Sequence, residues 1–351
     1  MIPSPHDGLF KRTFGQVEHA RGALASIVPP ALVEALDWSA LTLQPGSFVD
    51  AALGHQHTDL LYSLRWRSGC ETPVYVVFEH QSTPPTEARM GERMLGYQSR
   101  IWQRWRIDQP KTKLVPMILP VVLYHGAAAW FEPVAFEDLI DVPPRLRPGI
   151  DLHLVRFTYV LCDLTQTSDD ALRAGAWTAF GKLVAVCFKF GRTDADLLRT
   201  LTRWADVVRE VASVPNGRDA LVLLMRYVSE VNEHIGLDDL QRFLERELGT
   251  QAKDIVMTVG QQLIEQGLQQ GLERGRQEGR QEGRQEGRQE GIEQGRRQGS
   301  QELFLRLVRQ RFGAEVTPAV EQRIAAASYD EIEAWSTRVL SAATLAAAMS
   351  R

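Results

Sequence analysis

Residues 73–82 read PVYVVFEHQS, an apolar run rich in β-branched and aromatic side chains that breaks off abruptly into charged and polar ones. That composition predicts a buried strand. Side chains alternate across a strand, so Glu79 and Gln81 share one face and His80 takes the other. Just upstream, DLLYSLRW from Asp59 is a second β-prone run, set off by the turn signal Ser68-Gly69, and FVDAAL around Phe48 is a third. Before these, a helix is expected over 17–27, stopped by Pro29 and Pro30, with a short helical stretch in ALVEALDW ahead of the turn Gln44-Pro45-Gly46. After them a helical pattern covers 87–105, with Met90, Met94, Ile101 and Trp105 on one stripe, and LVPMILPVVLYHG from Leu114 reads as one or two buried strands. The expected order is α-β-β-β-α-β. From Phe157 onward the text reads as amphipathic helices.

The polar end of the quoted run carries the chemistry. If the strand from Asp59 pairs with that of Glu79, two carboxylates meet with no lysine between them, an all-oxygen set suited to Mg²⁺ or Mn²⁺. Such an ion polarises a phosphate and lowers the pKa of a bound water, so hydrolysis needs no histidine base. Glu18, on the first helix expected, is a candidate third carboxylate. The plainer reading is that these are solvated acids at strand ends, with Gln81 capping a turn. His55, His57 and Asp59 spell H-x-H-x-D, a zinc-like spacing that lacks a fourth ligand. Between Arg89 and Lys113 stand seven basic residues against two acids, Glu92 and Asp108. Arg89, Arg93, Tyr97 and Arg100, with Arg104, fall near one helix face, which suits phosphate contacts. The alternative is an ordinary solvated face with Tyr97 half-buried.

HDGLFKRTF at 6–14, TDLLYSLRW from Thr58, FEHQS at 78–82 and RMGERMLGYQSRIW from Arg89 together resemble the recombination-promoting nuclease and putative transposase family, over residues 6 to 210. That family's domain is similar to the PD-(D/E)XK, or restriction-endonuclease-like, nuclease fold. The resemblance implies an α/β core in the order α-β-β-β-α-β, in which Asp59 and Glu79 bind a divalent metal, Mg²⁺ or Mn²⁺, and DNA is cleaved. Gln81 then stands where the wider fold has lysine, in the E-x-Q form this family commonly shows. An amide supplies a dipole and a hydrogen bond in place of a full charge. Glu18 resembles the helix glutamate of many such enzymes, and Arg93 and Tyr97 match the family pattern on the following helix.

Around this core the composition sets bounds. The chain has 351 residues, with 40 basic and 44 acidic side chains and a net charge of -4, so nucleic-acid binding must come from a local patch. Three scattered cysteines fit neither a zinc pattern nor a disulfide framework and suggest a reduced, cytoplasmic setting. Neither a signal peptide nor a membrane-spanning run is expected. Nine of the 27 glycines recur every fourth residue from Gly267 to Gly299, including four copies of GRQE from Gly275 to Glu290. As an isolated helix this tract loses about 1 kcal/mol per glycine and sets like charges at i,i+4. It reads as a linker or as a helix formed on condition of a partner. The expected organisation is a nuclease-like domain at 1–210, a helical extension at 211–260, the repeat at 261–299 and a small helical unit at 300–351 that docks or oligomerises. Three functions compete: a metal-dependent endonuclease, a catalytically inactive descendant that binds DNA or protein, and an assembly device built on the repeat and tail.

Overall fold

The computed structural model describes residues 4–45, 60–83, 89–192 and 197–350. Helix α1 (Pro5–Phe14) starts where the Ser4 hydroxyl accepts the Asp7 backbone N–H at 3.2 Å, with Pro5 preset for the first turn. Helix α2 (Val17–Ile27) ends ahead of the paired prolines, as its sequence requires. The helix expected over ALVEALDW is cut short. Helix α3 (Pro30–Ala35) gives way to strand β1 (Leu36–Leu43), because Leu36 and Asp37 find partners in Trp66 and Arg65 on the next strand, and that pairing overrides local helical preference. The strand expected around Phe48 lies outside the described residues.

Strands β2 (Leu60–Trp66) and β3 (Val74–Gln81) pair antiparallel, with Leu60 opposite Phe78. Helix α4 (Met90–Asp108) then crosses over to β4 (Met117–Tyr124), which runs parallel to β3. A fifth strand, β5 (Val160–Asp163), adds parallel to β4 and completes a mixed sheet in the order β1-β2-β3-β4-β5. It was not expected from the sequence, being four residues long in text that otherwise reads as helical. Pro120 sits in β4 at a point where only β3 is alongside, since β5 joins from Val121 onward; a residue without an N–H is tolerated where one neighbour competes for the backbone.

The sheet is covered on both faces. Tyr62, Val74, Val76, Phe78, Val121 and Leu123 point to one side, where they form a continuous core with α1, α2 and the helices that follow β5. Phe10 and Phe14 of α1 meet Phe78 at ring separations of 5.0 and 5.5 Å, and the Tyr62 hydroxyl donates to the Phe14 carbonyl. Tyr75, Val77, Ile118 and Val122 point to the other side, under Met90, Met94, Tyr97 and Ile101 of α4. Burial on both faces explains why β3 reads as an unbroken apolar run.

After β4 come the short α5 (Arg147–Ile150) and, beyond β5, α6 (Asp169–Ala174), α7 (Ala179–Phe190), α8 (Leu197–Arg203), α9 (Ala205–Ser213), α10 (Gly217–Val231) and α11 (Leu237–Leu248). Helix α12 (Gln251–Phe312) contains the whole glycine repeat. Residues 267–299 of it are exposed throughout, and a Cβ added at any of its nine repeat glycines would meet nothing within 4 Å. The chain divides into two compact units, Met1–Leu263 and Ile264–Arg351. The second has its own small core, in which Phe304 and Val308 pack with residues of α13 (Pro318–Ala326), α14 (Tyr329–Val339) and α15 (Leu345–Ala348). Among the described residues no helix is long and apolar enough to cross a membrane.

Candidate active site

The C-terminal end of β3 brings Glu79 and Gln81 onto the face covered by α4, as alternation requires. Glu79 is 1% exposed, and a carboxylate so buried needs a partner. Arg93, one turn into α4, supplies it: its guanidinium forms an ion pair with Glu79 Oε1. The same guanidinium donates to Gln81 Oε1 at 3.4 Å and lies 3.5 Å from the Tyr97 hydroxyl. Gln81 Nε2 donates in turn to the Thr83 carbonyl and hydroxyl, both at 3.0 Å, which fixes the amide with its oxygen toward Arg93. Four residues singled out in the sequence, Glu79, Gln81, Arg93 and Tyr97, therefore form one cluster.

Its surroundings are held by less obvious means. Arg89 precedes α4 in a left-handed conformation, φ 38°, and gives the helix no side-chain cap; Glu132, from the loop after β4, accepts the Met90 N–H at 3.2 Å instead. Tyr124 is the register partner of Gln81, and its hydroxyl donates to the Ala128 carbonyl at 2.6 Å. That folds the chain back over Gly126, where a Cβ would stand 1.9 Å from the tyrosine oxygen, so only glycine fits.

The other candidates are distributed differently. Arg89 is largely exposed and 3.7 Å from Glu92, Arg100 lies over the Tyr97 ring at 6.0 Å, and Arg104 pairs with Asp108 at 2.9 Å. Asp59 lies outside the described residues, as do His55 and His57. Glu18 is not brought to Glu79. It is exposed on α2, in the layer against the opposite face of the sheet, where it lines an open groove with Arg12, His19, Glu210 and Asn216. The helix carrying it buries Ala20, Ala23 and Leu24 against the core, which turns Glu18 outward. Among the described residues no group of three or more His, Cys, Asp or Glu side chains is placed to hold a metal. Cys162 and Cys187 are both pushed up to about 12 by burial, so neither has nucleophile character.

On the far side of β3, behind Glu79 and Gln81, lies a buried polar chain that the sequence did not reveal. His80 Nδ1 is 2.9 Å from Asp7 Oδ1, His80 Nε2 is 2.7 Å from His125 Nε2, and His125 Nδ1 is 3.1 Å from the Phe188 carbonyl. A carbonyl only accepts, so His125 Nδ1 carries the hydrogen. Burial, then His80, His6 and Arg192, push the His125 pKa far down, leaving a neutral ring whose Nε2 accepts from His80. Hydrogen bonding from His80 holds the Asp7 carboxyl below its usual range, so Asp7 Oδ1 is the acceptor in that contact. Beside them His6 Nδ1 meets the Tyr227 hydroxyl at 2.8 Å, and burial lowers the His6 pKa to about 4. The signal was present in HDGLFK and EHQ, but nothing in sequence spacing joins positions 7, 80, 125 and 188.

A family model described as "Putative transposase, YhgA-like" matches residues 4–218. The recombination-promoting nuclease RpnD of Escherichia coli O157:H7 is 31% identical over 170 residues, covering 48% of this chain and 62% of that protein. RpnC of Escherichia coli K12, also named a recombination-promoting nuclease, is 31% identical over 170 residues, 48% of this chain and 53% of its own length. An inactive recombination-promoting nuclease-like protein, RpnE of the same strain, is 27% identical over 267 residues, 75% of this chain and 83% of the relative. The chain thus spans just over half to about six-tenths of the first two relatives. No solved structure matches it.

Proposed function

The chain belongs to the YhgA-like putative transposase family, whose model covers most of its first unit, and on that premise we propose that it is a divalent-metal-dependent DNA endonuclease of PD-(D/E)XK type. The observation that carries the reading is the joint placement of Glu79, Gln81, Arg93 and Tyr97 at the end of β3, in a chain similar to proteins named recombination-promoting nucleases. Glu79 is a hard oxygen donor of the kind that fits Mg²⁺ or Mn²⁺. Asp59, next to β2 in sequence, is the second carboxylate of this reading. A bound ion would supply a water of lowered pKa and neutralise charge on the scissile phosphate. Arg93 orients the Glu79 carboxylate and, with Arg89 just ahead of that helix and Arg100 on it, attracts the DNA backbone. Gln81, its amide fixed by Thr83, orients the water or a phosphate oxygen through a hydrogen bond. The biological setting consistent with this chemistry is DNA recombination or mobile-element biology in the cytoplasm, where the free cysteines stay reduced.

A second reading, binding without cleavage, is favoured by RpnE, whose name marks it inactive and which aligns with 75% of this chain. One assay separates the two. Supercoiled DNA is incubated with the protein and its Asp59→Ala and Glu79→Ala variants, with Mg²⁺, Mn²⁺ or chelator. Nicking that needs metal and disappears in both variants is the expected result. Cleavage by the variants equal to that of the natural chain overturns the site, and retained DNA binding without cleavage establishes the second reading.

A further inference from the structure

We propose that Asp7 is a positioning residue for this site: through His80 and His125 it fixes the end of β3 on which Glu79 and Gln81 stand. The inference rests on the nuclease reading for its effect on turnover, although the anchoring itself does not depend on it.

The argument is geometric. Successive side chains leave a strand on opposite faces, so any rotation of the β3 end about its axis that moves Glu79 moves His80 the other way. His80 is 5% exposed and hydrogen-bonded on both sides, to α1 through Asp7 and to the end of β4 through His125. His125, 2% exposed, is itself tied to α7 through the Phe188 carbonyl, and its ring stacks on Phe188 at 4.3 Å. The backbone continues the same restraint. The His125 N–H donates to the Gln81 carbonyl at 3.1 Å, while Arg192 donates to the carbonyls of Ser82 at 2.6 Å and His125 at 3.3 Å. Three elements therefore converge on residues 80–82 from the side away from the carboxylate cluster.

Burying such a chain is costly relative to apolar packing, and apolar packing was at hand. Phe10, whose ring stacks against His80 at 5.0 Å, and Phe188 already wall the space. What directed bonds add over a leucine is a fixed orientation, and outer groups of this kind orient the groups in front of them. Asp7 is the outermost link, on a capped helix turn with its side chain 41% exposed, so its replacement leaves the packed core intact.

The test uses the full-length protein and its Asp7→Ala and Asp7→Asn variants, with two readouts: steady-state nicking of supercoiled DNA in Mn²⁺, and amide hydrogen exchange by mass spectrometry. Asp7→Ala is expected to lower kcat by about tenfold or more with little change in KM, and to speed exchange at residues 79–82 while the rest of the sheet stays protected. Asp7→Asn keeps an acceptor for His80 Nδ1–H and is expected to recover most of both. Wild-type kcat in Asp7→Ala, protection lost across the whole core, or an asparagine variant no better than alanine would each overturn the proposal. If the natural protein does not nick DNA, the nuclease reading fails on its own. Exchange then decides: loosening confined to 79–82 upholds the anchor, and unchanged exchange refutes it.

Discussion

Arg93 shows how much one residue on a helix can settle. It neutralises a carboxylate that is otherwise out of water, and its planar fork also reaches Gln81 and Tyr97. Replacing it by alanine strips the guanidinium from a buried charge and should cost on the order of 3 kcal/mol of stability. Lysine restores the charge without the fork and should recover part of that loss. Urea denaturation of the two variants measures this, and an alanine variant as stable as the natural chain would refute the role given to the pair. The histidines behind β3 make a different prediction. Burial lowers His6 to about 4 and His125 further, from an ordinary 6.5. As pH falls from 6.5 to 4 the unfolded chain binds protons that the folded chain refuses, so stability declines with acid across that window, by on the order of 3 kcal/mol for His6. Asp7, held below the usual carboxylate range, adds a further loss only at still lower pH. Urea midpoints at a series of pH values should fall steadily through the window, less steeply in His6→Gln; a flat series contradicts the assignment. The face shared by Glu79 and Gln81, and its arginine, were legible in the sequence because strand and helix periods are local rules. The Asp7–His80–His125 chain was not, because it is made by tertiary folding alone.

Elements were legible in proportion to their length and periodicity. Helix α2 and strand β3 follow from apolar pattern and proline stops. Strand β1 was concealed in text of helical composition, since Leu36 and Asp37 commit to the sheet only when β2 is there to pair with them. Strand β5 is too short to carry a period. Helix α12 runs the other way: its repeat argues against helix by propensity, yet the segment is helical and exposed from 267 to 299. Because an added Cβ meets nothing at these glycines, alanine at Gly279, Gly283 and Gly287 should act through helix propensity alone. Each substitution should stabilise the segment by about 1 kcal/mol, visible as slower amide exchange across the repeat. Faster exchange would mean that the glycines are required for contact with something that approaches the backbone closely.

At the scale of the whole molecule the chain consists of two units, each with a core of its own. The second is small, and Trp335, 4% exposed, is among its largest buried side chains. Trp335→Ala should remove about 3–5 kcal/mol, comparable with the full stability available to so small a core. Limited proteolysis should then digest residues 300–351 and leave the sheet-bearing unit resistant; a tail that stays protected contradicts this. The first unit reaches past residue 210 to Leu263 because helices with apolar faces close over one shared core. The Asp7–His80–His125–Phe188 chain also has a consequence in time. Its members join segments separated by 73, 45 and 63 positions, contacts that form late because loop closure must precede them. During synthesis, strand β3 leaves the ribosome more than a hundred residues before Phe188, so a nascent or truncated chain carries Glu79 and Gln81 on an unanchored strand end. A site built this way acquires its geometry only once the fold is complete.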